Sequence, residues 1–168
     1  MRRLVLLIGV ILLLSLPVGA GAVKGGPGDG TLVVENAFGV VTMTVRGGII
    51  GRFDSGTIEI YDPVLGDGPP PVVRGATLKE TLGPRRTSYT GDTDVRFRLI
   101  GGVYRVRITA IGIDVSAVGR GTGVLNGSGF SDQQTGRYSL NGLPFQAMPS
   151  TATRFTLGTP LPAPLVPK

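Results

Sequence analysis

The chain has neither cysteine nor histidine. Without cysteine it forms no disulfide, no thiolate nucleophile and no zinc–sulfur site, and it offers no thiol for a lipid anchor. Without histidine it lacks the commonest general base and the commonest transition-metal ligand. Any catalysis would fall to carboxylates, Lys, Tyr and Ser/Thr. Lysine is scarce as well: of 17 basic residues only Lys24, Lys79 and Lys168 are lysines. Beyond residue 22 there is no long apolar run with the helical period. The four tyrosines, Tyr61, Tyr89, Tyr104 and Tyr138, are scattered, which argues against a stacking platform for bases or sugars.

Glycine and proline are abundant, at 28 and 13 of 168 residues. Glycine weakens a helix by about 1 kcal/mol relative to alanine and favours turns and bulges. The composition therefore points to strands, and the length fits one domain plus a targeting segment.

That segment is at the N-terminus. Arg2-Arg3 precede the apolar run Leu4–Leu16, Pro17 breaks it, and Ala20-Gly21-Ala22 supplies small residues for cleavage. Residues 1–22 are expected to be a secretory signal peptide cut after Ala22, with an uncleaved membrane anchor as the alternative. Cleavage leaves a secreted, periplasmic or cell-surface protein of the bacterial envelope, with no stable membrane insertion. Loss of Arg2 and Arg3 lowers the net charge from +6 to +4.

The mature chain reads as a flexible leader over 23–30, an all-β domain over 31–158 and a Pro-rich disordered tail over 159–168. Within the domain, Thr31–Asn36 and Gly39–Arg46 are strands, the second alternating Val41, Met43 and Val45 against Thr42 and Thr44. Ile49–Phe53 and Thr57–Tyr61 read as a hairpin closed at Ser55-Gly56, with Arg52 opposite Glu59. A loop follows over Asp62–Pro71, then a strand broken at Gly75 and a turn at Gly83–Arg86. Gly119–Leu125, Gly136–Leu140 and Thr153–Leu157 are the last strands, and Asn126-Gly127 and Asn141-Gly142 are turn signals. About nine short strands in succession predict an antiparallel β-sandwich or β-barrel.

The distinctive stretch is Asp94–Thr109. Two alternating runs meet at Gly101-Gly102, the pattern of a β-hairpin with a two-residue turn. Folded that way, Phe97, Leu99, Tyr104, Val106 and Ile108 share an apolar face. Arg98 faces Arg105 and Arg96 faces Arg107 on the other side. Past Ala110 the alternation changes phase, which predicts a bulge near Gly112.

Arg96, Arg98, Arg105 and Arg107 are the candidate anion-binding residues, because guanidinium forks match carboxylate, sulfate and phosphate oxygens bidentately. The bland reading pairs them with Glu59, Glu80 or Asp114 from neighbouring strands, or leaves them splayed into water. Asp92-Thr93-Asp94 could give two oxygens to Ca²⁺, yet no metal-binding loop surrounds it and a solvated turn is the simpler reading. Glu35, Glu59 and Glu80 could supply a pair for glycoside hydrolysis, but their spacing brings no two together. Gly119–Gly123 lacks the Lys-Ser/Thr step of a phosphate loop.

The expectation is a non-enzymatic exported protein with a structural or binding role, needing no cofactor and no metal. Its partner would be an acidic glycan or another cell-envelope component, and not nucleic acid. An anion-binding module using the arginine face is the first alternative. A barrel-type enzyme using carboxylate or Tyr groups is the second.

Overall fold

The computed structural model describes residues 25–127 and 136–159. The expected signal peptide and its cleavage point lie outside the described residues, as does the tail after Thr159. Among the described residues no helix is long and apolar enough to cross a membrane.

Over the described residues the chain is all-β, an open antiparallel sheet of nine strands. In order these are β1 (Gly30–Phe53), β2 (Ser55–Tyr61), β3 (Val72–Arg74), β4 (Leu78–Gly83), β5 (Arg86–Gly91), β6 (Val95–Asn126), β7 (Arg137–Leu140), β8 (Gln146–Ala147) and β9 (Thr153–Leu157). They are not uniformly short. β1 has 24 residues and β6 has 32, each uninterrupted where turns were expected.

The two long strands pair along both of their edges. One ladder runs from Gly30 opposite Gly119 to Phe53 opposite Val95. A second runs from Val40 opposite Asn126 to Arg52 opposite Asp114. β2 carries this second ladder onward, from Ser55 opposite Ile111 to Tyr61 opposite Arg105. At the join the Asp54 amide donates to the Ile111 carbonyl at 2.9 Å. β1 and β2 thus act as one kinked strand wound against β6.

Two expected hairpins are corrected by this winding. Ile49–Phe53 does not fold back on Thr57–Tyr61, since β6 lies between β1 and β2. Arg52 stands opposite Arg96 and Asp114, and Glu59 stands opposite Arg107 and Ser88. Gly101-Gly102 is likewise no hairpin turn. Both glycines have positive φ, 69° and 59°, but they bulge from the middle of β6 opposite Gly47. Ile100 and Val103 do not face each other; they pair with Gly48 and Arg46 of β1. The loop Asp62–Pro71 closes over this bulge. Asp67 Oδ2 accepts from the Val103 amide at 3.0 Å, and the Tyr104 hydroxyl donates to the Pro69 carbonyl at 2.7 Å.

Other sequence signals sit where they were read. Asn141-Gly142 is a tight turn with φ of 52° and 76°, and the Leu143 amide donates to the Leu140 carbonyl at 3.0 Å. Gly112 has φ of 65° at a register shift, between buried Ala110 and buried Ile113. The leader read over 23–30 gives its last residue, Gly30, to β1, and its described part carries a turn in which Asp29 accepts from the Gly26 amide and from Arg120 Nε at 3.3 Å.

One face of the sheet is apolar and buried. Val41, Met43 and Val45 of β1 and Phe97, Leu99, Tyr104, Val106 and Ile108 of β6 are all at 2% exposure or less. Ile58 and Ile60 of β2 and Phe155 and Leu157 of β9 join the same cluster. With no helix among the described residues to cover this face, it is buried because the sheet bends over itself. Each such side chain contributes about 1.5–3 kcal/mol on burial.

Candidate functional site: the outer arginine face

A strand that buries alternate residues must present the others outward, so the winding of β1 and β6 decides what the outer face carries. β6 turns Arg96, Arg98, Arg105 and Arg107 outward, and all four are exposed. They share one face as expected, but they lie along a single strand. None faces another of the four. Arg96 is flanked by Arg52 and Arg74, Arg98 by Ile50 and Val72, Arg105 by Thr44 and Tyr61, and Arg107 by Thr42 and Glu59.

Their electrostatic environments differ. Arg96 Nη2 lies 2.8 Å from Asp94 Oδ2, and Arg96 Nε also donates to both Asp94 oxygens, at 2.9 and 3.1 Å. That hydrogen bond holds the Asp94 carboxyl below the usual carboxylate range, with the Arg96 and Arg52 charges adding to it against partial desolvation. Arg52 lies 2.7 Å from Asp114, 3.5 Å from Asp54 and 3.9 Å from Asp94. This end of the face is a network of two guanidiniums and three carboxylates, and the exposed Arg74 opposite Arg96 balances its charge. Both oxygens of Asp94 are used there, leaving none free for the Ca²⁺ reading.

The rest of the face is open. Among the described residues Arg98, Arg105 and Arg107 make no ion pair. The Arg105 guanidinium sits 5.8 Å from the centre of the Tyr61 ring, a cation–π contact that positions it. Glu59, which the sequence offers as a partner, is paired to Arg86. Asp114 is taken by Arg52.

A fourth residue belongs with these three and was missed. Arg46 of β1 is exposed, has no ion pair among the described residues, and stands opposite Val103 and Arg120. Since Thr44 is opposite Arg105, Arg46 is the diagonal neighbour of Arg105. The parity of Thr42, Thr44 and Arg46 marks it as outward-facing, but its neighbour depends on a long-range register. Arg120 itself is engaged by Asp29 and the Pro27 carbonyl.

The enzyme-type candidates are dispersed. Glu35 is paired with Arg137 at 2.6 Å. Contrary to the expectation from spacing, Glu59 and Glu80 share a row through Ser88, two strand spacings or about 10 Å apart, but Ser88 between them is buried and Glu59 is held by Arg86. Tyr104 is buried, and desolvation, then the charges of Asp62 and Asp67, push its phenol up. Gly121, in the Gly119–Gly123 stretch, lies against β1, where an added Cβ would come 2.0 Å from the Thr44 carbonyl oxygen. Those glycines serve close strand approach. The Gly28–Thr31 segment, Asn141-Gly142 and Gly158-Thr159 border a depression open to solvent. Of the polar side chains lining it, Asp29 and Asn141 already bond Arg120 and the Thr31 amide.

Compared with known proteins, the chain matches no family model, and no curated protein or solved structure is significantly similar to it.

Proposed function

We propose that this is a non-enzymatic binding protein of the bacterial envelope, exported by residues 1–22, that works through the outer face of its sheet. One observation carries the reading. Arg46, Arg98, Arg105 and Arg107 share that face without a carboxylate partner among the described residues, while the inner face is filled with apolar side chains. Desolvated or unpaired guanidiniums gain most from an oxyanion that accepts two hydrogen bonds, so the ligand is acidic. A rolled, barrel-like wall fits the double ladder of β1 and β6 better than two stacked layers do. Binding then falls to the wall's outside. The carboxylate-and-Tyr enzyme has less support, because Glu35 and Glu59 are held in ion pairs and Tyr104 is buried.

The test is retention of the exported protein on an acidic polysaccharide resin, together with its intact mass. The expected results are retention that salt weakens, since charges are screened over about 10 Å at 0.1 M, and a chain beginning at Val23. Absence of retention on any acidic matrix would remove the binding function, and a mass retaining residues 1–22 would remove the cleavage.

A further inference from the structure

Resting on the reading of the outer face as an anion-binding surface, we infer that its ligand is a linear acidic polysaccharide lying along β6, held by Arg107, Arg105, Arg46 and Arg98. The placement of the four cations argues for a chain. Arg105 and Arg107 are two residues apart on one strand, about 7 Å. Arg46 follows as the diagonal neighbour of Arg105, about 7–8 Å away. Arg98 stands opposite Ile50, four residues beyond Arg46 along β1. The track is therefore about 27 Å long, and its charges follow one another. A compact anion would reach one or two of them. A polymer with a repeated carboxylate reaches all four.

The surroundings of the track narrow the polymer. Thr42 and Thr44 of β1 line one side, opposite Arg107 and Arg105, and can bond sugar hydroxyls beside the charged groups. The tyrosine on the other side, Tyr61, has its ring engaged by Arg105, so the track presents no free stacking platform for nucleobases or neutral sugars. The track also has an end. Beyond Arg98 come Asp54, Asp94 and Asp114, gathered around Arg52 and Arg96 with Arg74 alongside, three carboxylates against three guanidiniums, where an acidic polymer gains little. Arg96, one of the four arginines read from the sequence, is thereby excluded from the ligand set.

Titration of the full chain with polygalacturonate, monomeric galacturonate, inorganic polyphosphate and neutral dextran tests this. Expected is salt-sensitive binding of polygalacturonate, no binding of dextran, and no displacement by the monomer at equal sugar concentration. Arg105→Ala, Arg107→Ala and Arg46→Ala should each weaken polygalacturonate binding about tenfold. Arg96→Ala should leave it unchanged. Arg105→Lys, which keeps the charge and loses the fork, should fall between parent and alanine variant and guards against a folding defect in Arg105→Ala. Displacement by the monomer, tighter binding of polyphosphate at equal charge, or an equal loss in Arg96→Ala would each overturn the inference while leaving an anion-binding surface. Failure of every acidic probe to bind would overturn both.

Discussion

β6 and β4 are antiparallel strands of the same sheet, yet β6 buries a residue at almost every second position and β4 buries none. The difference lies in what stands at their edges. β6 has β1 along both edges in turn, with β2, β3 and β9 completing the row. Among the described residues β4 pairs only with β5, and nothing pairs with its other edge. Alternation becomes an inside and an outside only where neighbours on both sides carry the sheet over its own apolar face. Leu78 and Leu82 of β4 are 50% and 48% exposed, whereas Leu99 of β6 is fully buried. The same burial is what makes β6 a platform. Its inward side chains fix the backbone, and the arginines between them are held at a regular spacing.

The sharpest way to break this comparison is to empty the core beneath the platform. Phe97 is 2% exposed and its ring centroid lies 6.5 Å from that of Phe53. Phe97→Ala should lower stability by about 3–5 kcal/mol in urea unfolding, from lost transfer energy and the cavity left behind. A loss under about 1 kcal/mol would mean that the inner face is not a packed core.

The position of Phe97 could be read from the sequence, and so could the rest of that face. Phe97, Leu99, Tyr104, Val106 and Ile108 were expected together and are buried together. Their partners could not be read. A two-residue hairpin turn and a two-residue bulge both reverse the phase of alternation, so Gly101-Gly102 looks the same in either. The charges gave no decisive signal either. A hairpin would set Arg98 against Arg105 and Arg96 against Arg107, which is unfavourable, but the long strand sets Arg96 between Arg52 and Arg74 and Arg46 opposite Arg120. Asp94, Asp114 and Asp29, brought in by the fold, offset those contacts. Arg46 was overlooked for the same reason, since its neighbours come from residues 103 and 120. Local pattern marks which way a side chain faces. The choice of neighbour is settled by the winding of two strands over more than forty residues of separation.

A smaller effect probes the seam where the loop meets the platform. Tyr104→Phe removes the hydroxyl that donates to the Pro69 carbonyl and should cost about 0.5–1.5 kcal/mol at neutral pH. The variant should also change the alkaline limb. The folded phenol titrates above its ordinary value near 10, so the native state keeps its proton where the unfolded chain has lost it. That contribution is fully present below the unfolded value and is lost as pH rises through the folded one. Parent stability should therefore fall above about pH 10 more steeply than that of Tyr104→Phe. Parallel alkaline limbs would show that the hydroxyl is not held away from solvent.

The smallest effect belongs to the open edge. Leu78→Ser and Leu82→Ser remove the largest apolar side chains of β4, but each has already kept half its surface in water. Little transfer energy remains to be lost at half-exposed side chains. Each substitution should move stability by no more than about 0.5 kcal/mol in the urea experiment that shows several for Phe97→Ala. Amide exchange should show the same ordering. β4 should open locally, with β5 alone to hold it, while the β6 amides between β1 and β2 exchange only with global unfolding. A loss above about 2 kcal/mol in Leu82→Ser would mean that β4 is covered in solution, and the contrast between the two strands would then reflect a partner along that edge.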